Sequence, residues 1–156
     1  MNLYLILLSL HSLTRWLVLI ALIAIILNSL VKLNRQMPFT RFDNILRITA
    51  TGILHIQLVL GIGLYLISPV VRYFLQNFAK AVRIREIRFF GMEHITMMIV
   101  AVVLISVGSV KSKRKINDSA KFKTLLIWFV IGLLIILSSI PWSFSPLIHR
   151  PNFRPF

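Results

Sequence analysis

The sequence predicts an all-α, integral membrane four-helix transmembrane bundle, a single membrane domain over residues 1–156. Three observations carry that prediction. Hydrophobic residues make up 58% of the chain and its mean hydropathy is +0.86, too apolar for a surface that faces water. The apolar residues gather into four long blocks instead of recurring at amphipathic spacing, so lipid is the expected solvent on every side. The cations lie between the blocks: 18 Lys and Arg stand against 4 Asp and Glu, a net charge of +14, almost all of it in the connections.

Each block is long enough to cross a hydrocarbon core, which takes about 20 residues at 1.5 Å per residue. Backbone amides find no partner in lipid, so each block is expected to be a helix. The first, 3–31, has no basic n-region and no A-x-A-like cleavage site, and is expected to be a retained span rather than a signal peptide. Its extra length allows tilt. Lys32, Asn34, Arg35, Pro38 and Asp43 then break the pattern before the second block, 48–68, which Pro69 halts. From Val70 to Arg88, Tyr73, Phe74, Leu75 and Phe78 mix with Arg72, Lys80, Arg83, Arg85 and Arg88, the composition of an amphipathic helix lying on the interface. The third block, 89–110, is joined by the basic turn Lys111 to Lys123 to the fourth, 124–142. After Pro141 an interfacial tail, 143–156, is rich in aromatic residues and proline.

Basic residues in the loops set the expected orientation. With both termini periplasmic, the cytoplasmic connections carry ten (Lys32, Arg35, Arg41, Arg47, Lys111, Lys113, Arg114, Lys115, Lys121 and Lys123) against seven on the other side. Cations in such places meet anionic lipid headgroups, so membrane lipids are the expected partners and nucleic acid is not. There is no cysteine, which excludes disulfides, thiolate metal sites, iron–sulfur clusters and covalent haem. No nucleophilic, hydrolytic or phosphate-binding constellation is present, and Gly61-x-Gly63 lies inside a span.

Ionisable residues inside spans are costly and mark sites. His11 and Arg15 share one face of the first span, His55 lies in the second, and Glu93 with His94 in the third. Counting along the helices puts His11 about 12 Å and His94 about 8 Å from the same membrane face, with His55 about 20 Å away from it. Two imidazoles at matched depth on different helices suit the axial positions of a b-type haem, His55 being the substitute for either. Arg15 and Glu93 are expected to pair or to orient the imidazoles; two His with Glu93 also suit a divalent metal. Gln57 and Tyr65 offer polar contacts to a quinone, and Gly52, Gly61, Gly63, Gly91 and Gly108 suit either a flat macrocycle or close helix packing. His149, Arg150 and Arg154 of the tail fall on the same membrane face as His11 and His94, where lipid phosphate or haem propionate would meet the arginines.

His11-Ser-Leu-Thr-Arg15-Trp16, His55-Ile-Gln57 with Gly61 and Tyr65, Glu93-His94, Ile140-Pro-Trp-Ser-Phe144 and the closing Arg154-Pro-Phe resemble a family of small four-helix membrane proteins of Bacteroidetes-type bacteria labelled cytochrome b or cytochrome b-like. The resemblance covers nearly the whole chain. A more distant similarity is to one four-helix half of the haem A synthases, from which this chain departs in having no histidine in its fourth span and only half the bundle, so synthase activity is not carried over. The resemblance implies non-covalent haem b, electron transfer in the bacterial inner membrane, and other membrane subunits of a respiratory or quinone-linked complex as partners. The alternative is a cofactor-free structural or accessory subunit, or a small channel, in which His, Arg and Glu form a polar network.

Overall fold

The computed structural model describes residues 3–142, and the tail expectations for His149, Arg150 and Arg154 lie outside the described residues. The chain is an all-α multi-pass membrane protein, with no strand among the described residues. Its elements are α1 (Leu3–Asn34), α2 (Arg41–Ile67), α3 (Pro69–Gln76), α4 (Phe78–Ala81), α5 (Arg85–Arg88), a π-helical turn (Phe89–Glu93), α6 (His94–Lys113) and α7 (Asp118–Ser138). Arg85–Lys113 runs on through α5, the π turn and α6 as one candidate span, so four helices are long and apolar enough to cross a membrane.

The four long helices pack as a ring in chain order: α1 on α2, α2 on α6, α6 on α7, and α7 back on α1. α1 and α6 therefore face each other across the bundle. Leu22, Ile25, Ile105, Leu125 and Phe129 fill the centre, while Ile20, Val59, Val103 and Leu134 point outward and stay exposed, as lipid-facing residues do. Helix α6 meets α7 at glycines. A Cβ on Gly108 would stand 2.2 Å from Trp128 Cβ, and one on Gly132 would stand 2.4 Å from Ile105 Cγ1.

The helix ends explain where the spans stop. α1 runs three residues past its expected end, then Gln36 takes a left-handed φ of 51° and Pro38 follows. α2 begins seven residues earlier than its apolar block because Asp43 caps it, accepting from the Thr40 N–H and hydroxyl at 2.7 Å each. The same carboxylate, almost wholly buried, also takes Asn28 Nδ2 and Lys32 Nζ from α1 at 2.7 Å. One turn on, buried Arg47 reaches α6, donating to Ser109 Oγ at 2.6 Å, and holds Asn44 Oδ1 at 2.8 Å. These polar contacts fasten the three helices at the end opposite His11.

Between α2 and α6 the interfacial stretch is three short helices rather than one. Asn77 breaks from helical geometry at φ −127°, ψ 38°, and Ile84 is extended. Ser68 accepts from the Val71 N–H and Pro69 occupies the first turn of α3, where its missing N–H costs nothing.

Candidate functional site

His11 and Arg15, one turn apart on α1, line a cavity of about 360 Å³ inside the bundle, together with Gln57 and Tyr65 of α2 and His94 of α6. Val71 of α3 and Phe90 of the π turn line it from the connector side, and apolar side chains make up most of the remaining wall. The volume falls within the usual range for ligand pockets. His11 and His94 face each other in it, ring centroids 6.4 Å apart and ring planes at 76°.

Each imidazole is placed by identifiable contacts. Gly61 of α2 gives His11 its room: a Cβ there would lie 3.1 Å from His11 Cε1 and 3.6 Å from Nδ1. Gln57, one turn before Gly61, donates to the His11 backbone carbonyl at 2.9 Å and accepts from the Thr14 hydroxyl, tying α2 to α1 at this level. His11 Nδ1 itself is buried and has no hydrogen-bond partner among the described residues.

His94 is held differently. Its Nδ1 lies 2.8 Å from the Ser139 carbonyl, which can only accept, so Nδ1 carries the proton and Nε2 keeps its lone pair. Ser139 stands just beyond α7, where its carbonyl is outside the helical ladder. On the other side of His94, the π turn widens the helix and displaces the Gly91 carbonyl, which accepts from Tyr65 Oη at 2.8 Å. Gly91 also lets α3 approach: a Cβ there would stand 2.3 Å from Phe74 Cγ.

The remaining intramembrane candidates are elsewhere. His55 is exposed, bonds Ser106 Oγ of α6 through Nε2 at 2.9 Å, and does not line the cavity. Glu93 does not meet Arg15 as expected; it pairs with Arg88 Nε at 2.5 Å. The reason is helical geometry. Consecutive residues point about 100° apart, so with His94 turned to the cavity its neighbour turns away. No cluster of three or more His, Asp or Glu able to hold a metal is present among the described residues.

Protein-family models, curated proteins and solved structures give no match to this chain.

Two participants were invisible in the sequence. The Ser139 carbonyl is a backbone group, and its only sequence signal is Pro141, which ends α7 nearby. Tyr65 reads as an interfacial aromatic, yet its hydroxyl grips the π turn that immediately precedes His94.

Proposed function

We propose that this chain is a haem-binding, cytochrome b-like electron-transfer protein of a bacterial inner membrane, with His11 and His94 as axial ligands of one non-covalent haem b. The observation that carries the reading is the pairing of the two imidazoles on the wall of a largely apolar cavity, with ring planes at 76° and centroids 6.4 Å apart. Two imidazoles sharing one metal stand about 6 Å apart, from a metal–nitrogen bond of about 2.0–2.1 Å and about 1 Å more to each ring centre. The donor set points the same way. Two imidazoles with no third side-chain ligand among the described residues would suit a metal already held in a macrocycle, and Glu93, needed for a small divalent site, is turned to Arg88.

The chain's own groups support a bound imidazole pair. The Ser139 carbonyl fixes the His94 tautomer that leaves Nε2 for a ligand bond, as acceptors behind ligating histidines do. Gly61 leaves the clearance His11 needs. Arg15 brings a cation to the cavity wall, where it suits an anionic substituent of the ligand. When bound, the haem would supply one-electron chemistry, and the surrounding apolar wall excludes water from it. A respiratory or quinone-linked complex in the lipid bilayer is the proposed setting, with both termini periplasmic. Gln57 and Tyr65, expected for a quinone, already serve the His11 and Gly91 carbonyls.

The cofactor-free reading draws on polar contacts that join helices without any ligand: Thr14–Gln57–His11, His55–Ser106 and Arg47–Ser109. Absorption spectra of the protein purified in mild detergent separate the two. A Soret band that sharpens on reduction is expected, lost or converted to high spin in His11→Ala and His94→Ala and unchanged in His55→Ala. A preparation that stays colourless after haem supplementation, or variants that all keep the parent spectrum, would overturn the haem reading in favour of the polar network.

A further inference from the structure

The two imidazoles are opposed in space but unequal in support. His94 donates from Nδ1 to a carbonyl at 2.8 Å that is anchored at the end of α7. Its backbone follows a π turn gripped by Tyr65 and packed under Phe74. A hydrogen bond behind a ligating imidazole fixes the ring and raises its basicity, strengthening the bond to the metal. His11 has no such bond. Its Cε1–Nδ1 edge lies against Gly61, which leaves Nε2 as the ligating nitrogen. Nδ1 must then carry a proton, in a buried position with no acceptor among the described residues.

Binding through His11 therefore leaves a buried donor unsatisfied, whereas binding through His94 leaves nothing unsatisfied. Resting on the haem reading, we propose that His11 is the exchangeable ligand, so that the reduced haem takes a small neutral diatomic gas on its His11 face while His94 stays bound. If haem is bound, the exchange would be a simple ligand substitution in which His11 Nε2 gives up its place to the gas, with no electron or proton lost from the site. A purely electron-transferring haem would keep both axial bonds and refuse the gas.

The test uses the full-length protein in detergent, reduced with dithionite and equilibrated with carbon monoxide. The expected result is conversion of the six-coordinate ferrous spectrum to that of a carbon monoxide adduct, with the parent spectrum returning when the gas is removed. His11→Ala should retain haem as a high-spin species and bind carbon monoxide at least ten-fold faster, since no internal ligand has to leave. His94→Ala should lose most of its haem. A six-coordinate ferrous spectrum that does not change under saturating carbon monoxide overturns the proposal but leaves the haem reading standing. So does the reverse asymmetry, with haem kept in His94→Ala and lost in His11→Ala. A protein with no Soret band overturns both. The carbon monoxide measurement needs no variant, so misfolding of a substituted chain leaves the outcome decidable.

Discussion

Trp142 donates its indole N–H to the Leu137 carbonyl at 3.0 Å, and Leu137 is the residue whose helical partner would have been Pro141. Proline has no N–H to offer four residues on, so the indole replaces the missing donor. Trp142 also stacks edge-on against Trp16 of α1, centroids 6.1 Å apart, which holds the end of α7 against the first helix. Trp142→Phe keeps most of the ring packing and removes the donor. It should lower stability by about 1–3 kcal/mol, the usual result of leaving a buried acceptor unmatched, read as an earlier unfolding midpoint in denaturing detergent.

Glycine substitutions on the spans should divide sharply. Gly108→Ala puts a methyl group against Trp128 Cβ and Cγ, atoms too near their backbone to swing aside, and should destabilise by about 1–3 kcal/mol through forced separation of α6 from α7. Gly52→Ala meets nothing within 4 Å and should be neutral or stabilise by up to about 1 kcal/mol through helix propensity. Equal effects at the two positions would contradict the packing described.

The partner of Glu93 can be settled by double-mutant cycles. Glu93→Gln with Arg88→Gln should show a coupling of up to about 1 kcal/mol, modest because both side chains remain more than a third exposed. Glu93→Gln with Arg15→Gln should be additive within about 0.5 kcal/mol, because Glu93 is turned toward Arg88 and away from Arg15. Non-additivity in the second cycle would place Glu93 on the cavity side after all.

Reporter fusions at Gln36 and Asn117 should both report cytoplasm. The two connections carry the larger share of loop cations and lie at the same end of the bundle, where Asp118 Oδ2 accepts from the Phe39 N–H at 3.0 Å. A periplasmic signal from both would invert the protein and place the His11–His94 cavity near the cytoplasmic face.

Much of the architecture was legible because lipid imposes a simple rule: an apolar block of sufficient length must be a helix. The matched depth of His11 and His94 was legible for a related reason, since rise per residue is fixed and depth follows from counting. Direction around the helix was harder. Glu93 is the one carboxylate inside an apolar block and so the natural partner for Arg15, but the angular step from His94 turns it to Arg88. The π turn at Phe89–Glu93 could not have been read from composition, and the groups packed on it, Phe74 and the Tyr65 hydroxyl, come from other elements. Likewise the early start of α2 is set by Asp43, a charged residue that hydropathy assigns to a loop but that capping and Lys32 bring inside.

The ring order of the helices has a consequence for how the cavity is completed. His11 lies on α1, His94 on α6, and the carbonyl that fixes His94 lies beyond α7. Because α1 and α6 stand on opposite sides of the ring, no hairpin of consecutive spans contains both imidazoles. A chain that stops before α7 carries both imidazoles but lacks the carbonyl that holds His94 Nδ1. Completing the His11–His94 cavity thus requires α7 as well as the two helices that carry the imidazoles, since Ile136 and Ile140 also line it.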